Sequence, residues 1–193
     1  NNEAFGKIER HNDIGYPSVL MFTDANTEDV VSDPNGYNWN GNSLDYSDRT
    51  YTSYESQMVW NDHYNAIYVA NTVIKGYNTG EDPTNEEARF FYAQGLAARA
   101  YFYFNLAQLY QFTYKDIETK PCIPVVTDEN TAKSQVEGTP CSTVEETYTQ
   151  IKSDIDHAIT LLEGTSYERE DKRYISLAVA YGIRARVNLV MQK

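Results

Sequence analysis

Apolar residues recur along 86–111 at steps of three and four in two neighbouring rows. One row holds Phe91, Gly95, Ala98, Phe102, Leu106 and Leu109, and the other Leu96, Ala100, Tyr103, Ala107 and Tyr110. Two apolar rows need neighbours on two sides, so the stretch predicts a buried helix about 40 Å long. Its first half is rich in Ala and Gly, which lets another helix approach closely. Its second half carries Tyr101, Phe102, Tyr103 and Phe104, which fill volume. Thr84 and Glu87, after Pro83, have the spacing of a capping box and predict the start.

A stripe of Trp60, Tyr64, Ile67, Val69, Ala70, Val73 and Ile74 predicts a second helix over 53–76, stopped at Gly76, with Trp60 in the core. The short loop after it makes an antiparallel hairpin with the central helix. Thr143 and Glu146 predict another capping box, ahead of Tyr148, Ile151, Ile155, Ala158, Ile159 and Leu162, with Gly164 as the stop. A last helix from about Ile175 carries Leu177, Ala178, Ala180, Tyr181, Ile183, Ala185, Val187 and Leu189. Residues 14–22 predict one more, with Pro17 in its first turn. Between these lie a loop over 23–49, dense in Asp, Asn, Gly and Ser, and about thirty irregular residues after Phe112.

The second hairpin repeats the first. Ala93, Gly95, Ala98 and Arg99 align with Ala180, Gly182, Ala185 and Arg186, and Ile67, Ala70 and Ile74 align with Ile155, Ala158 and Leu162. Small residues at fixed places suit close stacking, so the fold class is all-α, stacked antiparallel helical hairpins (tetratricopeptide-like) with long irregular loops. The repeat is much longer than a tetratricopeptide's 34 residues, so a plain array of that kind does not fit.

Charge and chemistry narrow the function. With 28 acidic against 16 basic residues the net charge is −12, which excludes a phosphate backbone as partner, so no nucleic acid is expected. No run of apolar residues is long enough to span a membrane. Asp24, Asn26, Glu28 and Asp29 resemble a calcium loop, but Asp29 stands where such a loop needs Gly and Asn35 where it needs Glu. His11, His63 and His157 are scattered without ligand spacing, and no nucleophile motif, cofactor motif or metal site is found. A helical glycosidase would need two carboxylates across a cleft. The helix acids Glu86, Glu87, Glu145, Glu146, Asp154 and Asp156 instead fall at first turns or on polar faces, as solvated charges do.

Three segments carry a family resemblance: 96–114, with Arg99, Tyr101, Phe104, Leu106 and Tyr110, continued by Pro124 and Val126; 142–162, with Tyr148, Ile151, Asp154, Ala158 and Leu162; and 174–187, with Ala178, Ala180, Ala185 and Arg186. Taken in order they resemble the SusD/RagB-like outer-membrane glycan-binding lipoproteins of Bacteroidetes over roughly 55–193. The resemblance implies a cell-surface, lipid-anchored protein of the outer membrane that captures a glycan ligand. It would pass that ligand to a TonB-dependent (SusC-like) transporter and has no catalysis of its own. It also implies that residues 1–193 are the N-terminal helical domain of a longer protein, with the anchoring Cys upstream. The alternative is a tetratricopeptide-like scaffold gripping a partner protein, though few cations face outward to hold an acidic tail.

The glycan-binding residues expected are Trp39, Tyr37, Asn38, Asn40, Asn42 and Tyr46, in a loop that also holds Asp45 and Asp48. A pyranose has an apolar face that lies on an aromatic ring and hydroxyls that seek amides and carboxylates. In an exported protein Cys122 and Cys141 are expected to pair, which is worth about 3 kcal/mol by loop entropy. Arg99 and Arg186, at equivalent places among apolar residues, are expected to be structural and to pair with acids or helix-end carbonyls.

Overall fold

The computed structural model describes residues 14–31, 36 and 40–193. Its elements are α1 (Tyr16–Ala25), α2 (Gly41–Leu44), α3 (Tyr54–Tyr77), α4 (Glu86–Tyr110), β1 (Pro121–Pro124), α5 (Thr131–Glu137), β2 (Cys141–Thr143), α6 (Val144–Glu163) and α7 (Leu177–Met191). The architecture is all-α, with one small antiparallel two-stranded sheet among the described residues. The chain divides into two compact units, Asn1–Asn65 and Ala66–Lys193.

In the second unit α6 packs on α4 and α7, and the later part of α3 lies against α4. The α6 stripe is buried at every expected position, from Tyr148 to Leu162, and the helix starts with the expected capping box of Thr143 and Glu146. On α4 the row of Leu96, Ala100, Tyr103 and Ala107 is buried, with Tyr110 at its end half-buried, whereas the other expected row is covered less evenly. Gly95 and Leu106 are covered, but Phe91, Ala98 and Phe102 are half-buried and Leu109 is exposed. The cap of α4 is Asn85, whose side chain accepts from the Ala88 amide at 2.9 Å, and not Thr84. The chain enters the helix one residue later than the Thr-to-Glu spacing suggests, and an Asn carbonyl serves equally as a cap.

The segment after Phe112 is more ordered than expected. β1 pairs with β2 through an irregular register, and Val144 N donates to Lys120 O at 2.9 Å. Tyr103 fixes the strand exit from α4, since its hydroxyl donates to the Val126 carbonyl at 2.6 Å and accepts from the Val126 amide at 2.7 Å. Cys122 and Cys141 are both free thiols, so the expected disulfide is absent and the strand pair closes this loop by hydrogen bonds. Burial pushes the Cys122 thiol up. Two further backbone clamps tie the α6–α7 connection to α4. Gln94 exchanges hydrogen bonds with both backbone groups of Ile175, and Arg89 donates to the Gly164 carbonyl at the end of α6.

In the first unit α1 packs on α2 and buries Val19 and Ala25. Trp60, expected in the core, is half-buried and stacks on Tyr64 with ring centroids 4.7 Å apart. His63 is fully buried, lies 6.1 Å from the Tyr16 ring, and donates from Nδ1 to the Val59 carbonyl at 2.9 Å. Burial holds its imidazole below the usual 6.5, against the pull of that carbonyl.

Two predictions follow from this packing. A methyl group at Gly95 would sit 3.0 Å from Ile74 Cγ1 and 3.2 Å from Val73 Cγ1, whereas Gly182 has nothing within 4 Å. Thermal melts should therefore show Gly182→Ala gaining roughly 0.5–1 kcal/mol of helix propensity, and Gly95→Ala losing that gain to the clash. For His63 the native pKa is depressed, so the unfolded chain binds the proton first as the pH falls below about 6.5, and stability declines there. Urea midpoints measured from pH 7.5 to 5.5 should fall, and His63→Gln should flatten that slope.

Candidate functional site

The polar stretch before α3 is a sequence of hydrogen-bonded turns. Asn40 stands at φ 57, a left-handed conformation that Asn tolerates, and leads into α2. The Ser43 hydroxyl donates to the Asp48 carboxylate, which is 2% exposed, and Asp48 N donates to the Asn42 carbonyl. Asp45 accepts from the Ser47 amide at 3.0 Å, and the Ser47 side chain and amide together hold its carboxyl below the usual range. Thr50 N donates to Asp48 O, and Ser53 N donates to Thr50 O. The Ser53 hydroxyl accepts from Ser56 N at 3.2 Å at the start of α3.

This frame faces two tyrosines outward. Tyr46, at φ 62, is 46% exposed, and the Arg49 guanidinium lies 3.9 Å over its ring. Arg49 is in turn held by Asn26, donating from Nε to the side-chain oxygen and from Nη2 to the carbonyl, each at 3.1 Å. Tyr51 is 98% exposed. Of the glycan-binding residues expected from sequence, Tyr37, Asn38 and Trp39 lie outside the described residues. The structure brings Asn40, Asn42 and Tyr46 onto one short stretch, Asn42 and Tyr46 exposed and Asn40 half-buried. Tyr51 and Arg49 were not anticipated. The available signal was an aromatic between Thr50 and Thr52 that belongs to no apolar stripe.

The second unit holds a buried charge cluster. Arg99 donates from Nε and Nη2 to both oxygens of Asp154, at 2.7 and 2.8 Å, and from Nη1 to Asn71 and Asp128, each at 2.8 Å. Asp154 is not solvated as its sequence context suggested. It is 3% exposed, because it lies on the buried face of α6 three residues after Ile151, where Arg99 neutralises it. Burial pushes its carboxyl up against the pull of Arg99 and Gln150. For Asp128 burial acts the same way, but the hydrogen bonds from Arg99 and Asn78 outweigh it and hold the carboxyl below the usual range. Arg99 is thus structural, as expected. Arg186 is not its equivalent. It is exposed, meets no acid among the described residues, and sits 5.7 Å from the Phe104 ring.

Three of the other helix acids also have local partners. Glu146 caps α6, Glu86 accepts from Ser166, and Asp156 meets Lys152 and Arg184. No group of three or more His, Cys, Asp or Glu among the described residues is arranged to hold a metal ion, and no helix among them is long and apolar enough to cross a membrane.

A SusD-like family model, described as starch-binding and associating with the outer membrane, matches residues 14–189. The chain belongs to the SusD-like family. A SusD-like carbohydrate-binding protein from Bacteroides vulgatus is 25% identical with a TM-score of 0.79, and the match covers 99% of this chain and 39% of that one. A laminarin-binding SusD-like protein is 24% identical over 91% of this chain and 35% of its own, with a TM-score of 0.64. A structure with a xylogluco-oligosaccharide is 21% identical over 86% and 29%, with a TM-score of 0.61. The last two bear on the fold alone. This SusD-like chain therefore spans about two fifths of the length of the Bacteroides vulgatus protein. No curated protein matches it.

Arg99→Met should cost about 3–5 kcal/mol, because it leaves Asp154 buried without its cation. Denaturant unfolding checks this, and a variant as stable as wild type would show that the cluster contributes nothing.

Proposed function

We propose that the full-length protein captures glycan at the bacterial cell surface and passes it to a TonB-dependent (SusC-like) transporter without cleaving it. Residues 1–193 serve as its N-terminal helical domain, and a lipid upstream anchors it to the outer membrane. Family membership over 14–189 carries this reading. The family's description as starch-binding and the 25% identical carbohydrate-binding protein support a glycan as the ligand. The binding residues are Trp39, Tyr37, Asn38, Asn40, Asn42 and Tyr46, where a ring face and flanking amides match the two sides of a pyranose. The non-catalytic assignment is supported by the helix acids, since Glu146 is engaged in a cap, Asp154 and Asp156 in ion pairs and Glu86 with Ser166.

A second reading, a tetratricopeptide-like scaffold for a partner protein, is favoured by one observation. The face of α7 away from α6 exposes Val179 and Leu189, at 47% and 78%, beside the open Gly182. Affinity electrophoresis of the full-length protein against a polysaccharide panel separates the two. At least one neutral polysaccharide should retard wild type, and Trp39→Ala should lower that retention about tenfold for a lost stack of roughly 1.5 kcal/mol. Unchanged retention in a folded variant removes Trp39 from the site. No retention by wild type, with capture of a partner protein, favours the scaffold.

A further inference from the structure

We infer that Tyr51 is a sugar-stacking residue and that this part of the platform takes neutral rather than anionic glycans. The inference deepens the glycan-binding reading and rests on it. Tyr51 is 98% exposed, so its ring packs on nothing and both faces are open. Within residues 14–193 the ring adds nothing to packing, and it stands on a turn whose backbone is fixed. Asp48 O accepts from Thr50 N at 2.8 Å, Thr50 O accepts from Ser53 N at 3.1 Å and from the Ser56 hydroxyl at 3.2 Å, and the Thr50 and Thr52 hydroxyls are 3.2 Å apart. The backbone on either side of the ring is thus set before a ligand arrives, which limits the ordering cost of stacking. Tyr46, five residues earlier, offers less, because the Arg49 guanidinium covers one face of its ring.

Charge selects the ligand class. Residues 1–65 hold eleven acids and three basic residues, so this unit carries −8 of the chain's −12. Arg49 is the only Lys or Arg between residues 14 and 65. Its guanidinium donates to Asn26 from Nε and Nη2 and lies over the Tyr46 ring, so the single cation of this stretch is already engaged on one edge and one face. A uronic acid polymer would meet a repulsive field opposed by three basic residues against eleven acids, whereas a neutral sugar meets no such repulsion and its hydroxyls can bond the exposed Asn42 amide.

The test is affinity electrophoresis of the full-length protein at about 0.15 M salt, where screening reaches within about 8 Å. The panel contains starch, laminarin and xyloglucan as neutral polymers, and polygalacturonate and alginate as anionic ones. Wild type should be retarded by a neutral polymer and not by the anionic ones. Tyr51→Ala should weaken the best neutral interaction about tenfold, and Tyr51→Phe should preserve it, because stacking uses the ring. Circular dichroism melts of both variants should match wild type, as an exposed side chain carries no packing. Retardation by polygalacturonate or alginate equal to that by the best neutral polymer overturns the neutral assignment. Wild-type retention in Tyr51→Ala overturns the stacking role. If no polymer retards wild type, the glycan-binding reading itself fails, a result distinct from either of the others.

Discussion

The buried Arg99 cluster sets the terms for the second unit. A guanidinium that is 4% exposed costs far too much to bury alone, so the chain must bring it acceptors from several directions at once. Asp154 comes from α6, Asn71 from α3, and Asp128 from the segment after β1. Each acceptor fixes a degree of freedom that apolar packing leaves loose. The bidentate pair with Asp154 sets the register of α6 along α4, since a one-turn slide would move the carboxylate by about 5.4 Å and leave both charges bare. Asn71 also donates to the Val126 carbonyl and the Thr131 hydroxyl, so the same side chain that receives Arg99 holds the loop that carries Asp128. The network is therefore closed, and each member's position depends on the others.

The internal repeat shows how identical residues take different roles in different surroundings. Ala93 and Ala180 are both fully buried, and so are Ile67 and Ile155 or Ala70 and Ala158, because each pair faces the seam between its own two helices. Gly95 and Gly182 diverge, as do Arg99 and Arg186. α4 has helices on two sides, α3 and α6, whereas among the described residues α7 meets only α6 and α4. A Gly that permits close approach in one hairpin faces open space in the other. Duplication of a motif fixes local geometry, but the neighbours decide what that geometry is used for.

This also explains which parts were legible in the sequence. α6 could be read almost completely, since one polar face, one apolar stripe and a capping box all agree on a single helix with a single buried side. α4 could be read as a helix but not oriented, because apolar residues surround it and periodicity cannot rank faces that are all apolar. Asp154 was misread for a related reason. A carboxylate in a helix is solvated unless a cation from elsewhere in the fold meets it, and that partner lies 55 positions away. β1 and β2 are four and three residues long, and β1 begins and ends in Pro, so no alternation could mark them. In the stretch before α3 the polar and aromatic composition was visible, and the expectation for Asn40, Asn42 and Tyr46 rests on it. Tyr51 was not, because exposure is a property of the folded turn and adjacent threonines say nothing about it.

The two units hold their polar groups for opposite ends. In the second, Arg99, Asp154 and Asp128 are drawn inward and satisfy one another with Asn71, and the result is a frame with fixed register. In the first, the Ser43 hydroxyl bonds the Asp48 carboxylate, and Asp48, Thr50 and Ser53 bond through the backbone of their own turns. The side chains between them, Asn42, Tyr46 and Tyr51, are left exposed. Because those turns are held by local polar bonds and not by apolar burial, an outward residue can change without opening a cavity or orphaning a buried partner. The physical basis for that variability here is the short range of the bonds that hold residues 40–53, most of which reach no further than six positions along the chain.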